Sequence, residues 1–168
     1  MEVARLRLTC NFHQTFAQLK FPMDVINERA IFGGKVVKRS LPVFHGAPPP
    51  GTVGPKRLIL PQGELANFYD ADEGLRYAAL IEMRVGSIRG NHVHRVKEEL
   101  IYLISGTLEL VVQEIPAGER ATLELVAGDL ALISTGIAHA IRPLESGLAM
   151  EFSKARFDPD DVQKVPLI

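Results

Sequence analysis

Two histidines stand one residue apart, His92 and His94, in the run GSIRGNHVHRVKEELIYLISG from Gly86 to Gly106, and Glu99 follows them. A third, His139, lies further on in GDLALISTGIAHA. Three imidazoles and one carboxylate suit a divalent transition metal rather than calcium or magnesium, which prefer all-oxygen sets. Iron, zinc, manganese and nickel are all admitted by such a set. With four protein ligands an octahedral ion keeps two positions open for water, substrate or dioxygen. A four-coordinate zinc would be closed and structural.

These side chains need strands to aim them. Successive residues on a strand face opposite ways, so His92 and His94 point together and Val93 points away. Glu99 opens a second extended run, Glu99-Leu100-Ile101-Tyr102-Leu103-Ile104. Arg95-Val96-Lys97-Glu98 is then the bend between them. Glu98 is the rival ligand, because a shift of one residue reverses the face. Glu99 is preferred because it leads directly into the apolar run. Tyr102, three positions beyond Glu99, falls on the opposite face and is read as packing.

The rest of the chain from residue 57 to 153 reads as successive strands: 57–60, 76–85, 90–94, 99–104, 107–114, 121–126, 130–134, 139–142 and 147–152. Turn signals separate most of them, among them Ser105-Gly106, Pro116-Ala117-Gly118, Gly128-Asp129 and Glu145-Ser146-Gly147. Alternation in 107–110 and 121–125 predicts a hairpin over the Pro116 turn. Many short strands with regular turns point to an all-β sandwich or jelly-roll barrel. Residues 1–56 form an irregular N-terminal arm with a Pro/Gly-rich loop, 57–153 the barrel, and 154–168 a C-terminal tail. In the arm, a short helix is expected from about Phe21 to Ala30, ended by Phe32-Gly33-Gly34, with a short strand at Val36-Val37. PVFHGAPPPGTVGP, 42–55, is expected as a loop, with His45 a solvated histidine within it. Phe157, Val165, Leu167 and Ile168 of the tail are expected to clip onto the barrel or a neighbouring subunit.

The 168 residues are enough for one good core and too few for two ordinary domains. A net charge of −1 and the lack of a basic patch argue against nucleic acid and anionic membranes as partners. No apolar run approaches a membrane span or a secretory core. The single cysteine, Cys10, excludes an intrachain disulfide and is compatible with the cytosol. The expectation is a soluble, cytoplasmic protein with a small-molecule substrate.

The spaced residues resemble the cupin superfamily. Gly86, His92, His94, Glu99 and Gly106 meet every position of the first cupin motif. Gly128, Gly136 and His139 match the second, with Ser134 in place of its proline and Pro143 in place of its asparagine. The resemblance covers about Arg76 to Ser153. It implies a double-stranded β-helix barrel, a metal held by His92, His94, Glu99 and His139, and, since cupins often dimerise, a homodimer. The Arg89-Gly90-Asn91-His92-x-His94 run is similar to sugar-nucleotide cupins of polysaccharide biosynthesis, including ketoisomerases and epimerases. In that group the histidines are acid/base residues, often without metal, whereas Glu99 and His139 here point back toward a metal.

Other polar residues near the pattern are candidates for substrate. Arg89 and Arg142 are candidate substrate contacts, Arg89 through a bidentate fork to carboxylate or phosphate. Glu82 is a candidate general base. Three functions are expected in order: a metal-dependent isomerase or epimerase of a sugar or sugar-nucleotide, an iron-dependent dioxygenase, and a non-enzymatic small-molecule or metal-binding module.

Overall fold

Two long strands organise the molecule. In the computed structural model, which describes residues 27–116 and 118–168, β8 (Glu99–Glu114) and β11 (Ile137–Ser153) pair antiparallel along nearly their whole length. Each was expected as two strands separated by a turn. Instead Ser105-Gly106 and Ser146-Gly147 are bends inside continuous strands. Gly106 has φ +85°, and a Cβ there would meet the Ser146 carbonyl oxygen at 2.9 Å. A Cβ on Gly147 would meet the Ser105 carbonyl oxygen at 1.9 Å. The glycines let two bending backbones cross closely, so the ladder bends where other residues would break it.

Because both strands bend together, their two halves belong to two faces of a jelly roll. On one face β1 (Asn27–Ile31), β2 (Val36–Ser40) and β10 (Asp129–Ile133) lead to the first half of β8, followed by the second half of β11 and β6 (Tyr77–Met83). On the other, β9 (Arg120–Val126) pairs with the second half of β8, and the first half of β11 pairs with β7 (Arg89–His94). The hairpin of β8 and β9 has the expected register, with Leu108 opposite Leu125 and Leu110 opposite Leu123. Between the faces lies a core that includes Ile101, Leu103, Leu110, Val112, Leu125, Ile133, Ile137 and Ile141, all buried. Burial of each such side chain contributes about 1.5–3 kcal/mol.

The expected arm helix is corrected over its described part. Residues 27–31 are β1, paired throughout with β2 from Asn27 opposite Ser40 to Ile31 opposite Val36. Residues 21–26 lie outside the described residues. Ladder bonds to β2 override the weak local helix signal, and Phe32–Gly34 is a 3-10 turn that joins the pair. Part of the Pro/Gly-rich loop is likewise extended. Val43–His45 is β3, which pairs parallel with β4 (Lys56–Leu60), itself paired with β5 (Gly63–Asn67), a strand the sequence pattern did not reveal. β3 is the edge of that small sheet, where neighbouring prolines are tolerated. Aromatic residues just after β5 seal the outer side of the first face: Phe68 stacks on Tyr102 with ring centroids 4.8 Å apart, and Tyr69 meets Phe152 edge-on.

The tail clips on, as expected of it. Val162–Lys164 forms β12 on the outer edge of β7, and Leu167 is buried against Val93, Val111, Ala138 and Ala140. Phe157, by contrast, stays largely exposed. No helix among the described residues is long and apolar enough to cross a membrane.

Candidate functional site

β7 presents His92 and His94 to the interior while Val93 packs outward beneath the tail. His139 of β11 lies directly opposite His92 in the β7–β11 register. The register slips by one residue just beyond, and Asn91 takes up the slack with φ +53° after Gly90 at +81°. A Cβ on Gly90 would meet the His139 carbonyl oxygen at 2.7 Å, so only glycine allows this approach. Asn91 turns outward, where its side-chain oxygen accepts from the backbone N–H of Leu167 at 2.8 Å. The Arg-Gly-Asn-His run is thus a bulge that sets the histidines and latches the tail.

The imidazoles form a tight group. The His92 ring centroid is 4.5 Å from that of His139 and 4.8 Å from that of His94. Glu99, the first residue of β8, faces them. Its Oε2 is 2.7 Å from His139 Nε2, and its Oε1 is 3.1 Å from His94 Nε2. One ligand atom each from His92, His94 and Glu99 lie within 4.8 Å of one another.

Three further residues complete the cluster. Lys97 donates from Nζ to Oε1 of Glu99 at 2.8 Å and also to Glu151. Asp161, in the turn before β12, accepts from His94 Nδ1 at 3.2 Å and from the backbone N–H groups of Arg95, Val96 and Lys97. None of the three was singled out in the sequence. Glu151 had a usable signal, since strand parity places it with inward Ala149 and opposite Met150 and Phe152. Lys97 and Asp161 lie in turns and had none.

The electrostatics divide the histidines. Burial, with the neighbouring His139, pushes His92 down to about 4, so its ring is neutral at ordinary pH. Its Nε2 is buried and has no hydrogen-bond partner. Burial also opposes charge on His94, but the hydrogen bond and charge of Glu99 outweigh it and raise His94 above the ordinary imidazole value. Burial alone would raise Glu99, yet His139, His94 and Lys97 hold its carboxylate ionised, well below the usual range. Burial and the nearby Glu99 raise Glu151.

A cavity of about 100 Å³ opens on this group, lined by Ile81, Arg89, Gly90, His92, Glu99, Ile101, His139, Ile141 and Glu151. Arg89 also lines a surface groove of about 480 Å³ with Glu82, Arg84, Ser87 and Ile88. The structure therefore brings Arg89 to the cavity. It does not bring Glu82 there: that carboxylate faces outward on β6 and is forked to Arg84 at 3.0 and 2.9 Å. Its pKa is lowered by that hydrogen bond, the reverse of what a general base needs. Arg142 also points away and pairs with Glu109 at 2.9 Å.

The donor set fits a divalent transition metal. A buried, neutral and unpartnered imidazole nitrogen is the form a metal takes up, and the Asp161–His94 contact is the usual support for a ligand histidine.

A family model described as the cupin domain matches residues 79–152. The match spans less than half of the chain, and that stretch resembles a cupin domain in both its motifs and its jelly-roll topology. No curated protein matches the sequence. Among solved structures, the chain is similar to dTDP-4-dehydrorhamnose 3,5-epimerase from Sulfolobus tokodaii. The TM-score is 0.65 and the identity 16%, over 83% of this chain and 81% of that one. The same epimerase from Bacillus anthracis, solved with TDP and PPi, gives a TM-score of 0.65 at 14% identity, over 84% of each chain. A 3,4-ketoisomerase from Helicobacter canadensis gives 0.58 at 13%, over 65% of this chain and 85% of that one. At these identities the likeness is one of fold.

Proposed function

We propose that this chain is an isomerase or epimerase of a nucleotide-linked keto-sugar, with His92 as its proton-transfer group. The observation that carries the reading is the buried, neutral Nε2 of His92, which has no partner and lines the cavity. A carbon acid next to a ketone needs such an acceptor, and a proton returned to another carbon or face completes isomerisation or epimerisation. The low pKa of His92 keeps it free to accept, and an anionic substrate at the mouth would raise it toward the working range.

Size supports the same division of labour. A cavity of about 100 Å³ has room for the reacting edge of a sugar and not for a nucleotide. The larger groove sharing Arg89 is open to the rest of the molecule. The Arg89 side chain makes no hydrogen bond or ion pair among the described residues, so its fork is available to a phosphate. The fold shared with sugar-nucleotide epimerases and a ketoisomerase makes this substrate class the first to try.

His92, His94 and Glu99, with His139 alongside, would also hold a divalent transition metal, and because an ion on the His92 nitrogen occupies its lone pair, proton transfer by His92 belongs to the metal-free form. When bound, such an ion supplies polarisation of a carbonyl or enediolate oxygen. Metal-free and metal-loaded protein are therefore both assayed, in deuterated solvent, against a panel of nucleotide-linked keto-hexoses. Deuterium appearing next to the ketone with wild type, and not with His92→Ala, is the expected result. If neither form exchanges a proton in any sugar of the panel, the reading fails.

One observation favours a second reading. His92, His94 and Glu99 form a 2-His-1-carboxylate group, the set used by non-haem iron oxygenases. Oxygen uptake by the ferrous protein and none by the apo protein would select it.

A further inference from the structure

Lys97 occupies a cation site made entirely by this chain. Its side chain is only 3% exposed. The ammonium touches Glu99 at 2.8 Å and Glu151 on another side. The Tyr77 ring centroid is 4.3 Å away and that of Phe157 is 5.9 Å away. Two carboxylates and two aromatic faces hold a cation well, and the combination fixes this one. It cannot swing into solvent without leaving Glu99 and Glu151 buried together with no countercharge.

That position bears on the neighbouring histidines. A carboxylate has about four lone-pair sites. Those of Glu99 already serve Lys97, His94 and His139. A divalent ion drawing on Glu99 must share the carboxylate with a fixed positive charge a few ångströms away, in an interior that screens poorly. Nothing in the spacing of the histidines reveals this competition.

We propose that Lys97 is an internal cation that weakens the grip of His92, His94 and Glu99 on divalent metals, and that removing its charge converts the same residues into a tight metal site. The proposal rests on the metal-capable reading of that group and not on the choice of substrate.

The test is titration of the full chain with Mn²⁺ and, separately, Zn²⁺, by calorimetry or competition with a chelating dye. Lys97→Met is expected to bind one ion per chain at least about tenfold more tightly than wild type. Adding His92→Ala to Lys97→Met is expected to remove the gain. Should Lys97→Met fail to fold because two carboxylates then face each other, Lys97→Met with Glu151→Gln takes its place, with the same expectation. A folded variant that binds no more tightly than wild type overturns the proposal, as does a gain that survives His92→Ala. So does a wild-type dissociation constant below about 1 nM for either ion, since a site weakened by Lys97 would not reach it. Proton exchange by metal-free wild type is read separately, so the keto-sugar reading can stand where this proposal falls.

Discussion

The carboxylate of Asp161 accepts from Nδ1 of His94 at 3.2 Å and gathers the backbone N–H groups of residues 95–97 around it. The C-terminal segment therefore does more than cover the sheet. It orients a histidine of the site and shapes the bend that delivers Lys97 and Glu99.

Asp161→Ala removes those four acceptor contacts and leaves the partly buried donors of His94 and Lys97 unmet. It is expected to cost about 3 kcal/mol, read as a lower midpoint in urea denaturation. A loss under about 0.5 kcal/mol would mean that water replaces the carboxylate without penalty.

His92→Ala is expected to lower the proton-exchange rate by about 10²-fold or more while leaving the fold intact, since the ring nitrogen it deletes has no partner to orphan. Equal loss with Arg142→Ala, a residue paired with Glu109 and facing away, would show that the assay reports general damage and not the site.

The two histidines of β7 should titrate in opposite directions. His92 has its pKa depressed to about 4 against an ordinary 6.5, so between those values the unfolded chain binds a proton that the folded one refuses. Its contribution therefore makes stability fall as pH drops through that window. His94 has its pKa raised, so its contribution is complete below 6.5 and is lost as pH rises through the folded value. Imidazole NMR should show His92 neutral and His94 charged at about pH 6. His92→Leu should flatten the decline in stability between about pH 6.5 and 4. A His92 that titrates near 6.5 would contradict the buried, unpartnered geometry.

Gly147→Ala is expected to destabilise by at least about 3 kcal/mol, because its Cβ would overlap the Ser105 carbonyl oxygen where β8 and β11 bend. Gly136→Ala, at φ +77° with nothing within 4 Å of the added Cβ, carries only the left-handed backbone penalty of about 1–2 kcal/mol. Thermal unfolding of the two variants separates close approach from conformational strain. Equal shifts would show that the crossing relaxes freely.

Strand parity accounts for most of what could be read in advance. Alternation alone puts His92 and His94 on one face, separates Glu99 from Tyr102, and pairs 107–110 with 121–125. Spacing against the glycines points to the cupin pattern. Turn signals misled at the bends, because a glycine reads the same whether a strand ends or only bends. The outcome depends on a partner strand bending at the same place. Residues 27–30 looked weakly helical because their preference is slight, and the ladder to β2 is a long-range contact that no local pattern contains.

The sequence by itself determined which side chains share a face: the histidine pair, Glu99, the inward apolar residues and the all-β jelly roll they imply. Those follow from a two-residue period that is a local property of the chain. Only the tertiary structure decided that Lys97 is buried against Glu99 and Glu151, that Asp161 reaches back to His94, that Arg89 meets the cavity, and that Glu82 and Arg142 face away. A charge is buried or exposed according to what packs across from it, and Glu151 across from Lys97 and Asp161 across from His94 lie dozens of residues away.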